Sequence, residues 1–153
     1  MSLKEYQKKR KFGKTPEPRG RAGKDKKSHR FVIQEHDARN LHYDLRLEMD
    51  GVLKSWAVPK EPPQSPGIKR LAIRTEDHPV EYLDFEGKIP KGEYGAGTVK
   101  IWDKGEFKLD ADSAKKPEDG NLIFILSGKK IKGKYVLINT KNNNWLFFQT
   151  KGD

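Results

Sequence analysis

Residues 30–58 read RFVIQEHDARNLHYDLRLEMDGVLKSWAV, a stretch in which apolar side chains recur at the spacing of β-strands. From Leu41 onward apolar and polar residues alternate strictly, so that leucines and a tyrosine occupy one face of a strand. The opposite face carries four polar residues, His42, Asp44, Arg46 and Glu48. The dipeptide Asp50-Gly51 favours a tight turn, and residues 52–58 form the returning strand of the predicted hairpin.

Short apolar and aromatic segments continue along the chain, separated by Gly, Pro, Asn and Lys. We predict strands in RLAIRTE, VEYLDFEG, NLIFILSG, KYVLINT and NWLFFQT, and two strands in GTVKIWDKGEFKL joined by a turn at residues 103–105. Helical periodicity is confined to residues 3–10 and 111–118. The pattern predicts a mainly β fold of about eight or nine strands, either a closed barrel or a sandwich.

The charge of the chain is concentrated in its N-terminal segment. The formal net charge is +10, and residues 1–28 hold eleven Lys or Arg against three acidic residues. A surplus of this size points to polyanionic partners. We therefore divide the chain into a basic, partly ordered arm at 1–29 and a domain at 30–153. The arm is either a solvated tail or a segment that packs on the domain or on nucleic acid phosphates.

The composition excludes several kinds of site and location. Without cysteine, the chain cannot form disulfides, a thiolate nucleophile or a Cys-ligated zinc site. No apolar run approaches the roughly 20 residues that span a bilayer, and the N-terminus lacks the apolar core of a signal peptide. We expect a cytoplasmic protein that does not enter membranes.

Two of the four histidines fall within one short segment, HDARNLHYD. A turn at residues 37–40 would bring His36 close to His42 and Asp44, and two imidazole nitrogens with a carboxylate oxygen suit manganese, zinc or iron. Arg46 lies one pleat further along the same face, where a guanidinium could bind a phosphate with two hydrogen bonds. The alternative is that this polar face is the solvent side of an antiparallel strand.

Four further residues are candidates, although each also fits an ordinary structural role. His78 precedes a proline, which favours an extended strand end; it is either a surface histidine or a group that hydrogen-bonds a phosphate or protonates a leaving oxygen. Tyr82 is either a phosphate donor or a packed aromatic residue. Lys60 and Arg70 flank a proline-rich loop and are either phosphate ligands or solvated charges.

The segment IPKGEYGAGTVKIW contains Gly92, Gly95 and Gly97 but lacks the Gly-Lys-Ser/Thr ending of a phosphate-binding P-loop. No clear helix follows this segment, as a nucleotide-binding loop would require. We predict a tight turn at which the backbone passes close to another part of the chain.

Two long blocks resemble one known family, RFVIQEHDARNLHYDLRLEMDGVLKSWAVPKEP at residues 30–62 and KRLAIRTEDHPVEYLDFEGKIPKGEYGAGTVKIWDKGE at residues 69–106. They are similar to the 3′-phosphoesterase domain of bacterial DNA ligase D, and TPEP at residues 15–18 fits the family's N-terminal segment. The resemblance implies an antiparallel β-barrel of about eight strands with one or two short flanking helices. It also implies a manganese-dependent enzyme that removes a 3′-terminal ribonucleotide from a primer strand and then hydrolyses the remaining 3′-phosphate to a 3′-OH.

Carried over residue by residue, the resemblance implies a metal site of His36, His42 and Asp44 that binds Mn2+, with Co2+ or Zn2+ as alternatives. Arg46 and His78 would contact the scissile phosphate, and the supporting active-site groups would be Lys60, Arg70 and Tyr82. Arg10 and Glu17 match positions tied to ribonucleotide removal. Lys11 departs from the family pattern, which more often has an acidic residue there, and this puts ribonucleotide removal in question more than phosphate hydrolysis.

We expect the partners to be DNA or RNA 3′ ends in primer-template form, and the chain to be a monomer. The Lys-x-Asp-Gly nucleophile motif of the ligase is absent, so that ligase, polymerase or end-binding partners would be separate chains. Two alternatives stay open. One is a non-catalytic barrel that binds single strands through basic grooves and stacked aromatic rings. The other is metal-free acid–base cleavage by paired histidines, with Lys60 or Arg70 holding the phosphate, which needs a 2′-OH nucleophile.

Overall fold

Nine β-strands and one short helix form the regular structure of residues 2–20 and 29–151, which are the residues that the computed structural model describes. The strands are β1 (Arg30–Asp37), β2 (Leu41–Met49), β3 (Val52–Val58), β4 (Lys69–His78), β5 (Gly87–Ile89), β6 (Gly97–Leu109), β7 (Leu122–Ser127), β8 (Lys132–Lys141) and β9 (Asn144–Gln149). The helix α1 (Leu3–Lys8) precedes them, and 3₁₀ helices lie at Val80–Asp84 and Pro117–Asp119. Within these ranges, none of the helices has the length and apolar character needed to cross a bilayer.

The strands close into an antiparallel barrel. Eight of them are hydrogen-bonded in the order β1-β2-β3-β4-β9-β8-β7-β6, and pairing between β1 and β6 closes the ring. The short strand β5 pairs with the beginning of β6 outside this ring. The predicted mainly β barrel is therefore confirmed, and the sandwich is excluded.

The β2–β3 hairpin forms where the alternating sequence predicted it. Asp50 and Gly51 both have positive φ, 54° and 78°, between the paired residues Met49 and Val52. A two-residue type I′ turn requires positive φ at both positions, and Asp-Gly adopts it at little cost. The apolar face of β2 then points into the barrel, where Leu45 is fully buried.

The segment VEYLDFEG is not a strand, contrary to the prediction. Val80–Asp84 form a 3₁₀ helix in which the Tyr82 N–H donates to the carbonyl oxygen of Pro79 at 2.9 Å. Proline lacks the N–H that a strand ladder needs, which favours a turn here. The helix predicted at residues 111–118 is likewise reduced to a 3₁₀ helix at Pro117–Asp119.

The segment GTVKIWDKGEFKL is one continuous strand, not two strands around a turn at residues 103–105. β1 pairs with residues 98–106 of this segment, and a register shift opposite Ile33 and Gln34 absorbs the extra residue. The Asp103 carboxylate does not start a turn in its own strand, because it accepts N–H hydrogen bonds from residues 129–131 instead.

The outer surface of β1, β2 and β3 is covered by other parts of the chain. A second apolar cluster packs there, formed by Tyr6, Val32, Leu53, Tyr82, Leu83, Phe85, Ile89 and Val99. Under this cover most of the polar face of β2 is buried, with Asp44 only 6% exposed and Arg46 only 3% exposed, and His42 is partly buried. The alternative that this face is a solvent side is therefore wrong. Buried charges of this kind are costly unless they are paired or bind a ligand.

Candidate metal and phosphate site

A cavity of about 340 Å³ opens between the N-terminal arm and the outer face of the barrel. It is lined by Arg10, Glu17, His36, His42, Asp44, Arg46, Ala57, Thr75, Glu76, His78, Tyr82, Ile89, Tyr94 and Gly95. Every site residue predicted from the sequence lines this cavity except Lys60 and Arg70. The volume lies within the range of small-molecule sites.

His36, His42 and Asp44 converge because they lie on one hairpin. His36 in β1 is the direct strand partner of His42 in β2, and Asp44 follows two residues later on the same face. The Asp44 carboxylate lies 3.4 Å from His36 Nδ1 through Oδ2 and 3.1 Å from His42 Nε2 through Oδ1. One ligand atom from each residue falls within 4.8 Å of the other two, a spacing that suits a single metal ion.

Each of the two imidazoles donates its other ring N–H to a backbone carbonyl. His36 Nε2 is 2.7 Å from the oxygen of Gly95, and His42 Nδ1 is 3.1 Å from that of Asn40. In neutral rings the lone pairs of the remaining nitrogens therefore face the Asp44 carboxylate with no hydrogen between them. A cation is needed where these electron pairs meet, and imidazoles oriented by backbone carbonyls are typical of metal ligands. The donor set thus fits a metal ion.

The electrostatics of the three residues keep the carboxylate charged. Burial alone would raise the pKa of Asp44, but the charge of Arg46 and the close contacts with ring nitrogens of both histidines hold that pKa well below its ordinary value. Burial lowers the pKa of His42, but the protonated ring can hydrogen-bond the negatively charged Asp44 carboxylate, and this effect is larger, so the pKa is raised. A proton would therefore compete with any metal ion for His42.

Arg46 is held rigidly beside the three candidate ligands. Its Nε donates to Gln34 Oε1 at 2.7 Å, one Nη donates to Asp44 Oδ2 at 3.2 Å, and the guanidinium lies 4.7 Å from the centre of the Tyr82 ring. Gln34 is fully buried and donates in turn to the carbonyl oxygens of Tyr82 and Phe85. Gln34 was missed in the sequence, although it lies two residues before His36 on the same face of β1.

Glu17 joins the arm to the barrel inside the cavity. Its carboxylate accepts hydrogen bonds from Arg10 at 3.1 Å, from the Tyr82 hydroxyl at 2.7 Å and from the Thr15 hydroxyl at 2.9 Å. Burial, followed by the charge of Glu17, raises the pKa of Tyr82 well above its ordinary value, so the phenol stays protonated and remains a donor.

Glu76 is a buried acidic residue of the cavity that was not predicted from the sequence. It is 3% exposed and lies 3.1 Å from the Lys9 ammonium and 3.8 Å from an Arg10 Nη. Its position two residues before His78 in β4 places it on the same face of the strand, which could have indicated a role in the site. The sequence alone, however, did not distinguish Glu76 from the neighbouring acidic residue Asp77. Asp77 instead pairs with Lys54, on the other side of the strand.

His78 is a neutral imidazole in the folded protein. Burial, together with the charges of Arg46 and Arg10, lowers its pKa well below the ordinary value. Its Nδ1 lies 3.0 Å from the carbonyl oxygen of Glu76, so this nitrogen carries the hydrogen. The Nε2 of His78 is therefore an acceptor, not the donor that a leaving-group acid would present.

Lys60 and Arg70 lie apart from the cavity. They line a separate groove of about 220 Å³ with Lys69, and the Arg70 Nε donates to the carbonyl oxygen of Glu61. Lys11 is exposed, in contrast to the neighbouring Arg10, whose side chain is only 5% exposed. The basic residues at 21–28 lie outside the described part of the chain.

Comparison with known proteins gives this arrangement a family context. A family model described as the DNA Ligase D 3′-phosphoesterase domain matches residues 34–139. The chain is 48% identical over 155 residues to the multifunctional non-homologous end joining protein LigD of Pseudomonas aeruginosa, and 50% identical over 156 residues to that of Mycolicibacterium smegmatis. It is 50% identical over 150 residues to the multifunctional non-homologous end joining DNA repair protein LigD of Mycobacterium tuberculosis. Each alignment covers 97% of this chain but only 18% or 20% of the relative, so the chain spans about a fifth of the length of these proteins.

Proposed function

Because this chain belongs to the DNA ligase D 3′-phosphoesterase domain family, we propose that it is a metal-dependent phosphoesterase that processes the 3′ ends of nucleic acid strands. It hydrolyses 3′-phosphates to 3′-OH ends and removes 3′-terminal ribonucleotides from primer strands. The observation that carries this proposal is the convergence of two imidazoles and a buried carboxylate beside an arginine. The relatives are named for end joining, and we extend that role in DNA repair to this chain.

The proposed metal ligands are His36, His42 and Asp44, with manganese as the first candidate and cobalt or zinc as alternatives. A bound divalent ion supplies Lewis-acid polarisation of the phosphoryl group. Asp44 suits this role because its lowered pKa keeps the carboxylate ionised, the form in which it binds metals.

Arg46 and Arg10 neutralise the charge of the phosphate in this proposal. Charge on the non-bridging oxygens is where most stabilisation of phosphoryl transfer arises. Gln34 and the Tyr82 ring already fix the Arg46 guanidinium, so little reorganisation is needed when a substrate enters.

His78 moves the proton that the leaving oxygen needs. A phosphate monoester has a second pKa of about 6 and can enter as a monoanion that carries a proton. The acceptor Nε2 of His78 takes this proton and returns it to the 3′ oxygen as the phosphorus–oxygen bond breaks and a water oxygen bonds to phosphorus. His78 thus starts the cycle neutral, in agreement with its lowered pKa.

The arm and the surface groove act on the rest of the strand. Arg10 and Glu17 support ribonucleotide removal, whereas Lys60 and Arg70, outside the cavity, bind backbone phosphates. Since Lys11 stands where the family more often has an acid, phosphate hydrolysis should exceed ribonucleotide removal. We propose that the protein is cytoplasmic, that it acts as a monomer, and that it works with ligase, polymerase or end-binding activities.

The proposal is tested with a primer-template that ends in a 3′-phosphate, incubated with chelator-treated protein with and without added manganese. Asp44→Asn removes the negative charge that lies between His36 and His42 with little change of shape. Asp84→Asn is the matched control, since the Asp84 side chain is 79% exposed. We expect hydrolysis that requires the metal, fails in Asp44→Asn and persists in Asp84→Asn.

A calorimetric titration with manganese should show metal binding by the wild type and by Asp84→Asn, and its loss in Asp44→Asn. Hydrolysis that survives chelation would reject the metal-dependent scheme. Strand binding without any turnover would instead support the non-catalytic barrel.

A further inference from the structure

Tyr94 is an exposed aromatic residue at the mouth of the cavity. It lines the cavity, yet 47% of its surface is exposed. The Lys9 ammonium and the Arg10 guanidinium each lie 4.9 Å from the centre of its ring. The same guanidinium packs on the Tyr6 ring at 4.0 Å, so Tyr94 contacts the arm while nearly half of the residue's surface stays open to solvent.

The loop that carries Tyr94 is fixed next to the candidate metal ligands. The carbonyl of the next residue, Gly95, accepts the hydrogen bond from His36 Nε2. Gly97 has a φ of 140°, and a Cβ at this position would clash with the carbonyl oxygen of Asp37. Tyr94 is therefore held one residue away from the group that orients His36, beside the place where the phosphate is expected.

We infer that the Tyr94 ring is a nucleobase subsite, which stacks on the terminal base of the strand whose 3′-phosphate enters the cavity. This inference rests on the proposed function. The last base pair of a duplex has one open face, and an aromatic ring beside the scissile phosphate can cover it. Stacking tolerates any base because every base has a π-face. The cations over the ring add attraction for the strand's phosphates.

The test compares two primer-templates that carry a 3′-phosphate, one on an ordinary terminal nucleotide and one on an abasic tetrahydrofuran residue. Tyr94→Ala and Tyr94→Leu both remove the ring, and Leu keeps apolar bulk in case the smaller residue disturbs the loop. Tyr94→Phe keeps the ring and loses only the hydroxyl. Ile125→Ala is the control, because Ile125 is 38% exposed in β7 and does not line the cavity. The measurements are KM for hydrolysis and Kd from fluorescence anisotropy.

For the primer-template with an ordinary terminal nucleotide, we expect Tyr94→Ala and Tyr94→Leu to raise KM and Kd roughly 5- to 150-fold, which corresponds to the loss of one stacked base. The abasic end should bind wild type and variants alike, and Tyr94→Phe should retain the preference for a base. Equal weakening of both ends would overturn the inference, because Tyr94 would then only support the arm. No weakening of either end would overturn it as well.

The binding measurement separates this inference from the proposed function. A wild-type protein that hydrolyses neither end but still binds the ordinary end more tightly would reject the proposed function and keep the subsite. A wild-type protein that hydrolyses both ends with equal KM and Kd would keep the proposed function and reject the subsite.

Discussion

Replacing Tyr6 with alanine should release the N-terminal arm from the barrel without unfolding the barrel. The Tyr6 side chain is fully buried, with its ring 4.9 Å from that of His78 and 6.0 Å from that of Tyr82, and its hydroxyl donates to the carbonyl oxygen of Pro18. Truncating a buried aromatic ring to alanine costs about 3–5 kcal/mol. That cost falls on the contact between arm and barrel, because Tyr6 belongs to the outer cluster and not to the barrel interior. The ratio of undocked to docked arm should therefore rise roughly 150- to 5,000-fold.

Limited digestion with trypsin measures this change, because residues 8–11 of the arm are all Lys or Arg. When undocking is fast relative to cleavage, the cleavage rate follows the undocked population. Tyr6→Phe is the matched control: it loses only the hydroxyl bond, about 0.5–1.5 kcal/mol, and should accelerate cleavage roughly 2- to 12-fold. Two results would show that Tyr6 does not hold the arm on the barrel: acceleration in Tyr6→Ala no greater than in Tyr6→Phe, or the same acceleration at sites within the barrel.

Two further predictions concern Arg46 and His78. Arg46→Lys should lower kcat/KM for 3′-phosphate hydrolysis roughly 10- to 100-fold, because one ammonium cannot replace the guanidinium bonds to both Gln34 and Asp44 while it also faces a phosphate. Manganese affinity from calorimetry should change far less, and an unchanged kcat/KM would contradict the assigned role. The pKa of His78 is lowered in the folded protein. Below pH 6.5, the ordinary pKa of histidine, the unfolded chain therefore binds a proton that the folded protein does not, and the free energy of unfolding decreases as the pH is lowered. From about pH 7.5 to 5.5, wild type should lose about 1.4 kcal/mol more unfolding free energy than His78→Gln in urea denaturation; equal losses would mean that His78 is charged when folded.

The candidate metal site could be predicted from the sequence because its geometry is local. His36, His42 and Asp44 belong to one hairpin, where alternation along a strand and a short turn determine which side chains meet. Gln34 obeys the same alternation and was within reach of the same argument. The two strands expected in GTVKIWDKGEFKL were predicted wrongly for the opposite reason. Asp103 favours a turn locally, but its carboxylate is engaged by residues 129–131, which are distant in sequence.

The contacts of the arm could not be predicted from the sequence, because they join distant positions. Tyr82 and Glu17 are 65 residues apart, and no local period places one beside the other. Within the run of basic residues, nothing in the sequence distinguishes the buried Arg10 from the exposed Lys11. The packing of Tyr6, Leu3 and Phe12 in and against the outer cluster sets which side chains of the arm turn inward.

Because the cavity lies on the outside of the barrel, the residues that would bind a metal and the residues that cover the cavity belong to different parts of the chain. The three candidate ligands depend on the β1–β2 hairpin and on the Gly95 carbonyl, none of which belongs to the arm. Arg10 and Glu17, by contrast, reach the cavity only when the arm is docked. Removing the arm would let water reach Arg46 and weaken its interaction with a phosphate, since charges interact more weakly in a medium of higher dielectric constant. An undocked arm should therefore leave manganese affinity nearly intact while turnover falls, and a parallel loss of both would show that the hairpin itself depends on the arm.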